Sequence, residues 1–335
     1  MKVTKAKVPP ISIIRVIILY LDVYKQSKTR INRKVLIFDS IRVLNNYNTN
    51  NIIISTSEDS DIIIWDKFSL EKVKTLKGHK KFIRSLCTNN NFIITGSLDG
   101  SIKIWDIWKN YELIHTFEEN HDVNSIASCL NYIISGSTSS SNLTFYSMGE
   151  KFSKLDVNIS HTTNISGLQI VENKLYSSSI YFEFKIIDLK DNFKVIHTID
   201  DTSSKFSIST FCCNSKYIIG GGTDGEVRIL QNDMRDFKLC KLYKAHNDKI
   251  RGMSISGKYF ATASWDKLAK VWALDNFTLV KTIREHDRLV IAVLFKNDIM
   301  LTGGSDKLIK AWKINDNFDF IKDLTGHLDT ILCLE

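Results

Sequence analysis

The stretch Phe92 to Asp106 reads FIITGSLDGSIKIWD. Two apolar runs flank a Gly-Ser-Leu-Asp-Gly corner, and a Trp-Asp pair closes it. Glycines with an acid between them can cradle a phosphate or a metal. They can equally turn a hairpin, with Gly96 and Gly100 supplying the turns. Copies of the stretch elsewhere in the chain decide between the two.

Trp65-Asp66 and Trp105-Asp106 lie 40 residues apart, and the Trp position recurs at Tyr146, Ile187, Leu230, Trp272 and Trp312. The steps after Trp105 are 41, 41, 43, 42 and 40. Histidines keep the same time at 79, 121, 161, 246 and 286, each 25 or 26 residues before its Trp position, and His327 has no Trp after it. Asp39 and Ser204 hold the slots before Trp65 and Leu230. A third marker, an aspartate six residues before the Trp position, appears as Asp59, Asp99, Asp224, Asp266 and Asp306, with Ser140 and Tyr181 in units three and four.

Each unit reads as four short strands of period two, such as IRSLC, FIITGS, SIKIW and ELIHTF, split by Asn, Gly, Asp and Ser. Four strands in about 40–45 residues is the arithmetic of a propeller blade. The chain resembles the WD-repeat β-propellers, and the resemblance covers residues 35–335. It implies an all-β, seven-bladed propeller with four antiparallel strands per blade. Short turns such as TNNN at 88–91 make it similar to the propellers of F-box WD-repeat substrate receptors and of kinase- or RING-linked WD proteins. No F-box, kinase or RING sequence accompanies them.

The resemblance also gives the histidines a role. It implies a buried network of loop His, turn Asp, strand Thr and Trp: His79, Asp99, Thr95 and Trp105 in blade two; His246, Asp266, Thr262 and Trp272 in blade six; His286, Asp306, Thr302 and Trp312 in blade seven. The remaining two histidines, His115 and His197, share one position on the last strand. No histidine is left over for catalysis or metal binding. Cys87, Cys129 and Cys212 each fall eight residues after a marker position, which spreads them over three blades. With no CxxC spacing, they read as free thiols rather than zinc ligands. No P-loop, nucleophile elbow or dinucleotide fingerprint is present, and GGGTDG at 220–225 is one more hairpin corner. Neither catalytic residues, a cofactor nor a metal is expected.

Charge is unevenly placed. Residues 1–34 hold nine Lys or Arg against Asp22, so this basic arm carries the whole net charge of +8 and the propeller is neutral. The apolar run ISIIRVIILYL at 11–21 is broken by Arg15 and is shorter than the ~20 residues of a spanning helix. A cytoplasmic or nuclear protein is expected.

Binding residues are those that the repeat does not require. Arginines stand in the opening strand of three units, as Arg42, Arg84 and Arg251, where other units carry Asn124, Ser166, Ser207 or an apolar residue. In F-box WD-repeat receptors, arginines at this position clasp phosphorylated peptides at the channel mouth. Guanidinium suits that task through bidentate, charge-assisted bonds. Trp265 stands beside a turn aspartate, where other units have Glu58, Leu98, Thr223 and Ser305.

The expected function is therefore a non-enzymatic interaction scaffold or adaptor, a subunit of a larger complex. It would bind an acidic or phosphorylated peptide on the top face, as ubiquitin-ligase substrate receptors do. The alternative is an RNA- or ribonucleoprotein-associated factor that uses the basic arm. Three closures of the ring fit the sequence: Ile331–Leu334 pairs beside blade one, the chain is part of a longer protein, or residues 11–38 build an incomplete eighth blade.

Overall fold

The computed structural model describes residues 51–335 apart from residues 90, 150, 182, 201–206 and 234–236. The basic arm, the start of the propeller at 35, Asp39 and Arg42 lie outside the described residues. Among the described residues all regular structure is strand: seven sheets, each of four antiparallel strands. Their innermost strands are Ile331–Leu334, Ile83–Thr88, Ser125–Ser128, Ile165–Val171, Ile208–Cys213, Ile250–Ile255 and Val290–Lys296. Each touches the next, and Val290–Lys296 touches Ile331–Leu334, so the sheets form a closed ring of seven blades.

Blade one is completed across the length of the chain. Its sheet order is Ile331–Leu334, Ile52–Ser57, Ile62–Asp66, Lys72–Leu76. Ser55 pairs with Leu334 and Thr56 with Cys333. Ile54 and Glu335 exchange both backbone hydrogen bonds at 2.9 Å. This pairing covers the inner edge of Ile52–Ser57, which would otherwise present unpaired backbone groups.

The blades hold together because their middle strands are apolar on both faces. Ile52 and Ile54 pack with Ile83, Ile93 and Trp105 of blade two. Ile53, which points the other way, packs with Leu301, Ile309 and Ala311 of blade seven. Strict period-two reading therefore fails for these strands: Ile52–Ser57 is buried at every position, because a blade has a neighbour on each side. Each such isoleucine contributes about 1.5–3 kcal/mol of burial.

The corner in FIITGSLDGSIKIWD divides its two glycines by role. Gly100 has φ +82° and its N–H donates to the Ser97 carbonyl at 3.2 Å, so it makes the turn. Gly96 lies inside the strand Phe92–Ser97, not in a turn. A Cβ there would stand 2.4 Å from Val123 Cγ1 and 2.5 Å from Ser85 Oγ. Gly96 is glycine so that blade three can approach blade two.

Candidate functional site

The turn aspartates organise the top face, where the hairpin corners and the histidine loops meet. In blade two the Trp105 indole donates to Thr95 Oγ1 at 3.1 Å, Thr95 Oγ1 is 2.9 Å from His79 Nε2, and His79 Nδ1 is 3.0 Å from Asp99 Oδ2. Every group is satisfied when the histidine is neutral and carries its proton on Nδ1. The donors then run in one direction, from Trp to Thr to His to the carboxylate. Blade six repeats this through Trp272, Thr262, His246 and Asp266, and blade seven through Trp312, Thr302, His286 and Asp306.

Blades one, three and four depart from the expected pattern, and the blade-five slot, Ser204, lies outside the described residues. In blade one the histidine is His327, whose Nδ1 is 2.9 Å from Asp59 and whose Nε2 is 2.7 Å from Ser55 Oγ. The histidine with no Trp after it thus serves the first Trp, 262 positions earlier in the numbering. In blade three His121 is exposed and outside the network. Glu119 takes the slot, accepting from Ser135 and, at 3.4 Å, from Thr144. Counted back from the inner strand, Glu119 stands four residues before Val123 as His79 stands four before Ile83; the loop there is two residues shorter than His121 suggested. In blade four Glu183, two residues after Tyr181, reaches His161 Nδ1 at 3.2 Å, its extra methylene bridging the shift.

Burial pushes the imidazoles of His79, His161 and His246 below their ordinary value, against the pull of the facing carboxylates. The carboxylates move the other way from what burial alone would give. Burial raises Asp99, but Ser101, the Lys80 N–H and His79 outweigh it and hold it down to about 2. A histidine depressed in the folded state contributes full stability above its unfolded value of about 6.5, and loses it as the pH falls, because the unfolded chain takes the proton more readily. The urea midpoint at pH 5.5 is therefore expected to lie below that at pH 7.5. Equal midpoints at the two pH values would contradict neutral buried histidines.

At the centre of the top face lies a cup of about 290 Å³ lined by Arg84, Arg251, Lys249 and Trp265. The sheet places the arginines there by a local irregularity. The ladder of blade two slips between Ile83 and Ser85, and that of blade six between Ile250 and Gly252. Arg84 and Arg251 are the extra residues, left out of the pairing and turned to the channel, as bulges re-aim side chains. The same slip sets Ser166, Ser209, Ile291 and Leu332 at this level in blades four, five, seven and one. The blade-five counterpart is thus Ser209, not Ser207, whose hydroxyl instead donates to the Ile180 carbonyl. The slot of this kind in blade one belongs to Leu332 of the closing strand.

The cup is electrostatically unbalanced. Arg84, Lys249 and Arg251 face a single lining carboxylate, Glu58, and among the described residues no carboxylate lies within 4.0 Å of any of the three. Burial and the Arg84 charge push Arg251 down from its ordinary value; burial, Arg251 and Arg84 do the same to Lys249. Arg84 Nε and Ser209 Oγ are buried with no hydrogen-bond partner. The Lys249 ammonium lies 5.3 Å from the centre of the Trp265 ring, a cation–π contact. The cup therefore carries an excess of positive charge and polar atoms with no hydrogen-bond partner.

Seven side chains, one per blade, line both this channel and a further cavity of about 470 Å³: Leu86, Ile126, Leu168, Phe211, Met253, Val293 and Leu334. They stand two residues after each cup position, so the alternation that aims Arg84 at the cup sets a ring of apolar side chains next along the channel.

Of the expected binding residues, Arg84, Arg251 and Trp265 share this cup, and Arg42 lies outside the described residues. Lys249 was missed, although its place one residue before the buried Ile250 makes it the loop counterpart of Phe82 and Asn164, and a lone cation among unlike counterparts is a signal. All six cysteines are free. Cys87 and Cys212 are structural equivalents, whereas Cys129 follows Ala127, the true counterpart, by two residues, for the same loop-length reason as His121. Burial lifts the Cys87 thiol to about 12. Among the described residues no group of His, Cys, Asp and Glu could hold a metal ion, and no helix is long and apolar enough to cross a membrane.

Ring, blade and network together define the class: a seven-bladed β-propeller built of WD-type repeats. The family model described as WD domain, G-beta repeat, matches residues 70–106 and 237–273. A bromodomain and WD repeat-containing protein of Dictyostelium discoideum is 37% identical over 75 residues, covering 22% of this chain and 3% of that protein. Myosin heavy chain kinase C of the same organism is 31% identical over 121 residues, 35% of this chain and 15% of that protein. The chain thus spans a small part of the length of these relatives. The crystal structure of the computationally designed Ika8 protein shares the fold, with TM-score 0.66, 19% identity, and coverage of 85% of this chain and 87% of that one. Proteins of the family generally act as protein-interaction scaffolds, and the fold is typically non-enzymatic.

Proposed function

We propose that this protein is a non-enzymatic scaffold that holds an acidic or phosphorylated peptide in the cup at its top face, after the manner of a ubiquitin-ligase substrate receptor. The observation that carries the reading is the set of three cations, Arg84, Lys249 and Arg251, with no carboxylate within ion-pairing distance among the described residues. An anion of charge near −2 would relieve their mutual repulsion, and a phosphate group at neutral pH carries about that charge. Arginine at two of the three positions favours a group that offers pairs of oxygens for bidentate bonds, as carboxylate and phosphate do. Trp265, 38% exposed at the rim, offers the flat apolar surface on which a neighbouring peptide residue would rest. We place the protein in the cytoplasm or nucleus as a subunit of a larger complex. The nucleic-acid reading rests on residues 1–34, outside the described residues, and nothing in the cup favours it.

The test is a peptide array probed with the full chain, before and after phosphatase treatment of the array. Binding concentrated on phosphorylated and acidic peptides, lost on dephosphorylation or in high salt, is the expected result. Binding indifferent to both treatments would overturn the proposal.

A further inference from the structure

We infer that Lys249 is an acyl-acceptor lysine: the cup seats the phosphate of an acyl phosphate on Arg84 and Arg251 and presents the acyl carbon to the Lys249 amine. The inference rests on the reading of the cup as an anion site and adds to it a covalent modification that retunes that site.

Geometry singles out this lysine. Its ammonium is half-buried at the cup wall, with no carboxylate or carbonyl at hydrogen-bond distance among the described residues. Its recorded contact is the Trp265 ring at 5.3 Å. Lysines elsewhere in the ring are tied down: Lys270 donates to the Ala245 carbonyl at 2.5 Å and Lys307 to the Leu328 carbonyl at 2.8 Å. Burial and the two guanidiniums destabilise the Lys249 ammonium, which raises the share of free amine at neutral pH. Desolvation and neighbouring cations are the standard means of making a lysine nucleophilic. The same guanidiniums attract the phosphate that an acyl phosphate carries, so one cluster both activates the nucleophile and positions its partner. Glu58 is the acid that lines the cup, and it stands on blade one rather than beside Lys249.

The step balances. The Lys249 Nζ lone pair attacks the acyl carbon and forms an amide C–N bond. The bond from that carbon to the bridging phosphate oxygen breaks, and inorganic phosphate leaves with the electron pair. The amine proton passes to water. The product amide has no charge, so the cup falls from three cations to two and the contact with the Trp265 ring loses its electrostatic part. Acylation would then weaken anion binding by about tenfold, the usual measure of one charge-assisted contact.

The experiment treats the full chain with acetyl phosphate at pH 7.5 and follows initial acetylation rates residue by residue by mass spectrometry. Lys249 is expected to react at least about tenfold faster than the median exposed lysine, to be protected by inorganic phosphate, and to lose its advantage in Arg84→Gln/Arg251→Gln. An uncharged acetylating ester serves as control and should show no such preference. A Lys249 rate at or below the median overturns the inference, as does a fast rate that phosphate leaves unchanged. Phosphate binding to the cup is measured separately by calorimetry. If phosphate binds while Lys249 is slow, the acylation inference falls and the anion site stands; if phosphate does not bind, both fall. The phosphate-protection arm needs no variant, so misfolding of the double substitution cannot rescue the idea.

Discussion

Asp59→Ala is expected to lower the unfolding free energy by about 2–4 kcal/mol, the largest loss of any single substitution in the turn networks. Asp59 accepts from His327 Nδ1 at 2.9 Å and from the Leu328 N–H at 2.8 Å through one oxygen, and from the Asp61 N–H at 2.9 Å through the other. Burial alone would raise its carboxyl, but the His327 bond and charge and the Leu328 N–H outweigh it and hold it down to about 2. Alanine leaves the buried His327 Nδ1–H without its partner, a penalty of about 1–3 kcal/mol, and hands the Leu328 N–H, on an exposed residue, to water at the smaller net loss of one hydrogen bond, about 0.5–1.5 kcal/mol. Asp99→Ala removes the same local bonds, but His79 and Asp99 lie 20 residues apart, whereas Asp59 and His327 lie 268 apart. Loss of the second pair loosens the seam that holds Ile331–Leu334 to Ile52–Ser57. Hydrogen exchange should therefore quicken first in those two strands, before the rest of the ring, as a local opening. Urea unfolding and exchange mass spectrometry read the two effects. A midpoint within about 0.5 kcal/mol of wild type, the range of an ordinary surface change, would show that this seam does not depend on Asp59.

How much of this was legible in the sequence follows from which residues the repeat constrains. Period, strand count and the Trp, His and Asp markers are set by local chemistry that each blade must repeat, so fold and blade number could be read directly. Errors arose where one blade meets the repeat by another route. Counting from Trp gave His121 in blade three; counting from the buried Val123, two residues before the inner strand, gives Glu119, and only the second count respects the packing. Gly96 looked like a turn residue because it is glycine near a turn, yet its neighbours Val123 and Ser85 come from other strands, which spacing cannot reveal. His327 could not be matched to Trp65 by reading forward, because ring closure joins residues that sequence order separates. In the cup, Arg84 and Trp265 announced themselves as exceptions to the pattern. Lys249 did not, since a lysine in a polar loop is unremarkable until blades two and six bring it and Arg251 to Arg84.

Arg84→Glu/Arg251→Glu is expected to abolish peptide binding while leaving the ring intact. Each arginine would give charge-assisted bonds worth about 1.5–3 kcal/mol to a bound phosphate. Replacing both removes that gain and sets two acids against the ligand's charge, so affinity should fall by at least about a thousandfold, some 4 kcal/mol. Stability should move little, or upward. Among the described residues neither guanidinium has an acid within ion-pairing distance, Arg251 is already pushed down by burial and by Arg84, and a glutamate in either place would face Lys249 instead of repelling it. This opposition of effects separates a binding site from a structural one: a residue needed for folding would weaken binding and stability together. Arg84→Lys/Arg251→Lys refines the test. It keeps the charge but not the planar fork, and is expected to weaken a phosphate ligand by about tenfold and a plain acidic peptide less. Titration by fluorescence anisotropy at two salt concentrations measures both variants, and wild-type affinity should fall as salt screens the rim charges. If the double glutamate variant bound the same peptides with unchanged affinity, the cup would be a hole at the centre of a propeller, and the partner would have to be sought on another face.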